Sequence, residues 1–304
     1  MTVVSLPAPA AAAQRQASWL ARNCCFCRAA DDGVASFVLK PRGAVSPPPA
    51  RGPVLSTPVL FRQLFDQGSG TWSYLIADPL SREAIFIDPV YEQHGRDLAL
   101  LRELELELVA CLDTHCHADH VTGAWLLREA TACQLMAAAA AGIEGLDRAL
   151  RQGDLINFGW RSLEVLETPG HTDGCLSFVL DERTLVFTGD CLLIRGCGRT
   201  DFQSGSASRL YRSIREQLFT LPDYCQIYPA HDYNGRTSSS IWEEKRHNPR
   251  IGGAANEQDF VGYMENLRLP HPKQLDIAVP ANLQCGRPEA GLPPAQPAWA
   301  PLHS

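Results

Sequence analysis

The segment His115-Cys116-His117-Ala118-Asp119-His120 packs three imidazoles and one carboxylate into six residues. It follows directly on an apolar run, Leu108 to Leu112. In extended chain, residues 115 and 117 share one face, and a loop can fold Asp119 and His120 back beside them. Imidazole and carboxylate are the usual ligands of zinc and non-haem iron, so the pattern predicts a metal centre. Three further candidates stand at the ends of other apolar runs. His171 lies in Thr168-Pro-Gly-His-Thr172, Asp190 closes Leu185-Val-Phe-Thr-Gly-Asp190, and His231 lies in Tyr228-Pro-Ala-His-Asp232. Rigid scaffolds place functional groups on such strand-end loops.

Elements must carry these residues together. Trp72 to Ala77 and Glu83 to Asp88, joined by the turn-forming Asp78-Pro-Leu-Ser81, read as a hairpin. Arg96 to Glu107, with leucines at 98, 100, 101, 104 and 106, reads as an amphipathic helix. Leu108 to Leu112 is a short strand that delivers the His-rich segment, and Gly123 to Ala130 a helix. Strands are predicted at Ser162–Leu166, Leu176–Leu180, Leu185–Thr188 and Gln226–Tyr228, with a helix from Ala207 to Leu218. Thr237 to Ser240 before Ile241-Trp-Glu-Glu reads as a helix start, with a hydroxyl cap and an acidic first turn. Hairpins interleaved with helices, and no internal repeat, give an α+β class with a sheet-rich core.

Composition narrows the function. A net charge of −7 argues against a nucleic-acid partner. The longest bland run, Met136 to Gly142, falls far short of the roughly 20 apolar residues of a membrane helix. Eleven cysteines without framework spacing suit a reduced intracellular protein. The Asn23-Cys-Cys-Phe-Cys27 cluster has no second Cys/His pair at knuckle distance. Residues 1–55 hold Arg15, Arg22, Arg28, Lys40, Arg42 and Arg51 against only Asp31 and Asp32. They read as a disordered or targeting extension. The catalytic domain is expected over 56–286, and the Pro/Ala-rich 287–304 as a disordered tail.

Taken together, the ligand-type residues resemble the metallo-β-lactamase superfamily: His-x-His-x-Asp-His, then a later His, a bridging Asp and a last His, in that order. The resemblance implies an αββα sandwich of two mixed β-sheets, with a loop-built site at one edge. The superfamily pattern would supply two zinc sites: His115, His117, His171 and Asp190 for one, and Asp119, His120 and His231 for the other, sharing Asp190. It equally permits one metal with the rest around it. Finer motifs are similar to the persulfide dioxygenase family over roughly residues 59–286. They are Phe187 to Gln203, Tyr228 to Tyr233, Asn248-Pro-Arg250 and Ala278-Val-Pro-Ala-Asn-Leu283.

That resemblance implies one Fe(2+) per chain, held by His115, His171 and Asp190. This is a facial set of two imidazoles and a carboxylate that leaves three coordination positions open. His117, Asp119, His120 and His231 would be the catalytic residues orienting ligands and water. Thr172, Arg199, Tyr233 and Arg250 would contact glutathione; Thr172 is alternatively a residue that only shapes the loop after His171. The implied reactants are glutathione persulfide and O2, and the products sulfite and glutathione, in sulfide catabolism. The family suggests a homodimer and a separate sulfurtransferase as protein partners. It also suggests the mitochondrial matrix if 1–55 is a transit peptide, and the cytoplasm otherwise. Two competing readings stand beside it. One is a di-zinc hydroxyacylglutathione hydrolase of the glyoxalase II kind, which shares Gly196-Cys-Gly-Arg199 but carries a separate helical substrate domain; few residues follow His231 here to build one. The other is a non-catalytic interaction protein on the same fold, which would be free to lose ligands; none is missing.

Overall fold

A computed structural model describes residues 58–288. The Arg-rich segment 1–55, the Asn23 to Cys27 cluster and the tail from 289 onward lie outside those residues. The chain opens with β1 (Leu60–Asp66), β2 (Thr71–Ala77) and β3 (Glu83–Ile87). β2 and β3 form the expected hairpin, pairing Tyr74 with Ile87 and Ala77 with Ala84. Then come α1 (His94–Glu103), β4 (Glu107–Leu112), α2 (Ala124–Thr131), β5 (Gln134–Ala138) and β6 (Arg148–Leu150). These six strands make one sheet in sequence order, antiparallel through β3 and parallel from β3 to β6.

The second sheet uses β7 (Leu155–Phe158), β8 (Arg161–Glu167), β9 (Leu176–Leu180), β10 (Leu185–Gly189), β11 (Gln226–Pro229) and β12 (Ser239–Ser240). Its order is β12-β11-β10-β9-β8-β7, with only β10 and β11 parallel. Helices α3 (Ala207–Arg212), α4 (Ile241–His247), α5 (Glu257–Glu265) and α6 (Leu275–Asn282) complete the described residues.

Side chains alternate across each strand, and here both faces are covered. From the first sheet, Tyr74, Ile76, Ile85, Ile87 and Leu112 face Ile156, Phe158, Val165, Phe178 and Phe187 of the second. Tyr74, Phe187, Phe61 and Tyr228 join the sheets through ring contacts of 4.8–6.0 Å. Such a pair adds about 0.5–1.5 kcal/mol beyond its burial. The intervening residues Leu75, Phe86 and Leu135 pack outward against Leu101 and Leu127 of α1 and α2. On the opposite side Val179, Val186 and Ile227 pack against Leu210, Ile214, Ile241 and Phe260. Burial on both faces is why these strands read as unbroken apolar runs. The architecture is the expected αββα sandwich.

Local differences have local causes. The helix predicted to Glu107 stops at Glu103, because Glu105 takes a positive φ of 52° and turns the chain into β4. The helix predicted to Leu218 is regular only to Arg212 and widens into a π turn over Ser213–Gln217. Ser240 caps α4 as expected, its hydroxyl accepting from the Glu243 N–H. Because β3 and β4 run parallel, as do β10 and β11, the loops after Ile87, Leu112, Gly189 and Pro229 leave each pair in the same direction.

Candidate metal centre

Three of those loops, after Leu112, Gly189 and Pro229, and the one between β8 and β9 bring the candidate residues together. One ligand atom each from His115, His171 and Asp190 lies within 4.8 Å of the others. His171 Nε2 is 3.6 Å from Asp190 Oδ2, close to the roughly 3–3.5 Å edge set by metal–ligand bonds of about 2.0–2.2 Å. A second group unites His117, Asp119 and His120 within the same limit. His231 Nε2 lies between them, 3.5 Å from Asp119 Oδ2 and 3.8 Å from Asp190 Oδ1. His117 stands between the groups, its ring 4.1 Å from that of His115 and 4.3 Å from that of His120. Its Nε2 is turned to Asp88, 3.1 Å away, which leaves Nδ1 for the site.

Each imidazole is oriented through one nitrogen, which leaves the other for the site. His171 Nδ1 donates to the Arg199 carbonyl at 2.7 Å, and His231 Nδ1 to the Gly70 carbonyl at 3.0 Å. His115 Nδ1 lies 3.0 Å from the Thr114 hydroxyl, which in turn donates to Asp88 Oδ2 at 2.9 Å. Asp88 also accepts the Thr114 N–H at 2.7 Å. One buried carboxylate therefore steers both His115 and His117. Sequence reading placed Asp88 only as a strand end; an acid before proline at the end of a buried strand was the available signal.

The donor set fits a cation. His117 Nδ1, His120 Nε2 and Asp190 Oδ1 are buried and have no hydrogen-bond partner, an arrangement a divalent metal would satisfy. Burial and the neighbouring His117 and His171 hold His115 well below the usual histidine range, so its lone pair is available. Burial alone would depress His117 as well, but Asp88 carries it up to about 9. For His231, burial is outweighed by Asp190 and Asp119, which lift it to about 10. Burial would raise Asp119, yet His120 and His231 bring it well below the carboxylate range. Protons thus balance the carboxylates where a cation could.

The packing around these residues is tight at Gly198. A Cβ there would stand 2.4 Å from the Asp190 carbonyl oxygen and 2.9 Å from His171 Nδ1. Only a glycine lets the Gly-Cys-Gly-Arg loop pass between two candidate ligands.

A cavity of about 530 Å³ opens over the cluster, bounded in part by His115, Asp119, His171, Asp190 and His231. Tyr233 and Arg250 line it. Tyr233 is 77% exposed and lies parallel to the His231 ring. Arg250 donates Nη1 to the Cys197 carbonyl at 2.8 Å and sits 5.6 Å from the Tyr263 ring. Arg199 also lines the cavity, but its guanidinium is engaged by Asp201 and by the Pro270 and Leu269 carbonyls. Thr172 is not at the wall. It is buried, its hydroxyl 3.2 Å from Cys175 Sγ, which fits the loop-shaping alternative. Cys197 belongs to the cavity lining, with its buried Sγ against Met264. Sequence reading missed Arg195, Arg236, Leu269, Pro270 and Pro272, which complete the rim.

Two ligand-rich groups under an open cavity, at the loop edge of a double-sheet sandwich, define a metal-dependent enzyme scaffold. Residues 66–231 match the metallo-beta-lactamase superfamily. The human persulfide dioxygenase ETHE1, mitochondrial, is 51% identical over 230 residues, covering 75% of this chain and 89% of that protein. The crystal structure of ETHE1 from Myxococcus xanthus superposes with a TM-score of 0.73 at 51% identity, covering 75% of this chain and 99% of the other. A hydroxyacylglutathione hydrolase from a Polaromonas species is 40% identical over 167 residues, covering 53% of this chain and 62% of the hydrolase. The chain belongs to the metallo-beta-lactamase superfamily and, within it, to the persulfide dioxygenases.

Proposed function

We propose that the chain oxidises glutathione persulfide: GSSH, O2 and H2O give GSH, sulfite and two protons. The observation that carries this reading is the convergence of His115, His171 and Asp190 beneath an open cavity, in a chain of the persulfide dioxygenase family. In the proposal those three residues hold one Fe(2+), and His117, Asp119, His120 and His231 are catalytic neighbours. Bound iron would supply the electron exchange with dioxygen that no side chain here can provide, and that zinc, having no redox chemistry, does not.

The chain's own residues bind and orient. A persulfide is more acidic than a thiol, so the substrate arrives as an anion with two further carboxylates. Arg250 has only Nη1 committed to the Cys197 carbonyl and Sγ, so its remaining N–H groups can grip a carboxylate. Tyr233, exposed at the cavity wall, offers its phenol O–H as a hydrogen-bond donor. Arg199 acts by holding the Leu269–Pro270 rim in place, and Thr172 by fixing the loop that carries His171. Asp119 and His231, 3.5 Å apart, share a proton at His231 Nε2 and orient the water that completes sulfite release. Docking substrate and O2 together in one cavity removes the entropic cost of their encounter.

The N-terminal segment and the word mitochondrial in the human relative's name support a matrix location, with 1–55 as a presequence. Homodimerisation and a sulfurtransferase partner belong to the same proposal. The test is direct. Protein purified without added metal should hold iron near one per chain and consume O2 with glutathione persulfide. His115→Ala, His171→Ala and Asp190→Ala should lose both properties. Two zinc ions per chain, with anaerobic hydrolysis of S-lactoylglutathione and no O2 uptake, would establish the hydrolase reading instead.

A further inference from the structure

Asn282, at the end of α6, lies more than 160 residues from the His-rich loop in sequence and is bonded to it at three points. It is buried at 2% exposure. Its carboxamide nitrogen donates to the His117 carbonyl at 2.9 Å and the His120 carbonyl at 2.8 Å. Its oxygen accepts the Thr122 N–H at 2.8 Å. One planar group thereby closes the turn between two candidate ligand positions and its exit toward α2. No other side chain could supply this fork at that reach: Asp lacks the donors, and Gln is a methylene too long.

The helix is pressed onto the loop by independent contacts. Ala278 is buried against Tyr91, Val121 and Leu126. Just beyond α6, Gly286 has a φ of 69°, and a Cβ there would stand 2.1 Å from the Thr122 carbonyl oxygen. Both ends of this contact therefore demand a specific small residue.

We infer that Asn282 is a positioning residue: through the His117 and His120 carbonyls it sets the loop that presents His115 to the metal, so docking of α6 governs how long the site retains its metal. The inference rests on the metal-binding part of the proposed function and not on the persulfide chemistry. Outer-shell partners of metal sites typically govern affinity by about 10–100-fold, and Asn282 fixes the loop that carries the candidate ligand His115 together with its neighbours His117 and His120.

The experiment loads full-length protein anaerobically with Fe(2+), and separately with Co(2+), and follows release to a chelator. Asn282→Ala and the near-isosteric Asn282→Asp are compared with wild type. The expected result is metal loss at least about tenfold faster in both. The visible bands of the Co(2+) form should shift, and release should speed by more than the fall in the metal-free unfolding midpoint, expected from the stranded carbonyls, accounts for. Gly286→Ala should speed release in the same direction. Where Asn282→Ala does not fold, Asn282→Asp gives the answer. Release within twofold of wild type with unchanged Co(2+) bands would overturn the inference. So would a loss of metal-free stability that accounts for all of the faster release. Failure of the wild-type protein to hold either metal would instead reject the proposed metal site.

Discussion

Replacing Gly198 by alanine probes the site without touching a candidate ligand. The new Cβ would meet the Asp190 carbonyl oxygen at 2.4 Å, whereas Cβ atoms essentially never approach closer than 3.0 Å, so the loop must open by at least about 0.6 Å. Both anchoring bonds lie in its path. Gly198 N–H donates to the Asp190 carbonyl at 2.7 Å, and the next residue's carbonyl accepts from His171 Nδ1 at 2.7 Å. Metal–ligand distances tolerate roughly 0.2 Å, a third of that displacement. Affinity should therefore fall by about 10–100-fold, or about 1.4–2.7 kcal/mol. The metal-free fold should lose only the ~1–3 kcal/mol typical of overpacking. Gly196→Ala is the control, because a Cβ there meets only Leu193 Cβ at 3.8 Å. Competition against a chromophoric chelator measures both variants. An affinity within twofold of wild type for Gly198→Ala, or an equal loss in Gly196→Ala, would refute the reasoning.

Three other outcomes are expected. Glu244, buried, accepts from the Arg195 N–H and guanidinium, the Ser239 hydroxyl at 2.6 Å and Asn248 Nδ2 at 2.9 Å. Glu244→Ala leaves those donors unpaired, so about 3–5 kcal/mol is lost, read as a drop of roughly 6–20 °C in melting temperature. Burial, only partly opposed by Arg96, raises the Asp97 carboxyl to about 6 from 3.8. The folded state then holds its proton more tightly than the unfolded one, so its contribution falls as pH rises from about 4 to 6. Asn at this position removes that titration: measured by urea unfolding, Asp97→Asn should gain on wild type by up to about 3 kcal/mol between pH 4 and 7. Thr172→Val should leave the KM for glutathione persulfide within about twofold, because its hydroxyl meets only Cys175. Arg250→Ala should raise KM by about tenfold, the loss of one charge-assisted bond.

The inner strands were legible because they are apolar on both faces and break at Gly, Pro or Asp; their arrangement as a sandwich followed from the resemblance carried by the metal motif. Leu176–Leu180 matches the observed strand residue for residue. The short edge elements were not legible. β6 spans three residues and β12 two, too few for any period to appear. α5 gave no alternation signal, yet Asn256 caps it by accepting the Asp259 N–H at 2.9 Å. At the site, histidines and acids at strand ends announced themselves by type. Their supports did not. Asp88 looked like a strand terminus and Asn282 like one residue of a motif, since neither shows its partner until the chain is folded. Arg199 looked like a free cation, because the sequence does not reveal that two main-chain carbonyls and Asp201 already claim it.

That same Arg199 has two loyalties. Its main-chain oxygen steadies His171, while its guanidinium holds Leu269 and Pro270 at the cavity mouth. Any widening of the entrance that carries those two residues outward must either snap the fork or tug on the stretch that aims the imidazole. Gate and chemistry are thus mechanically joined through one side chain, and a substrate bulky enough to pry the doorway would disturb the reacting centre before it arrived there.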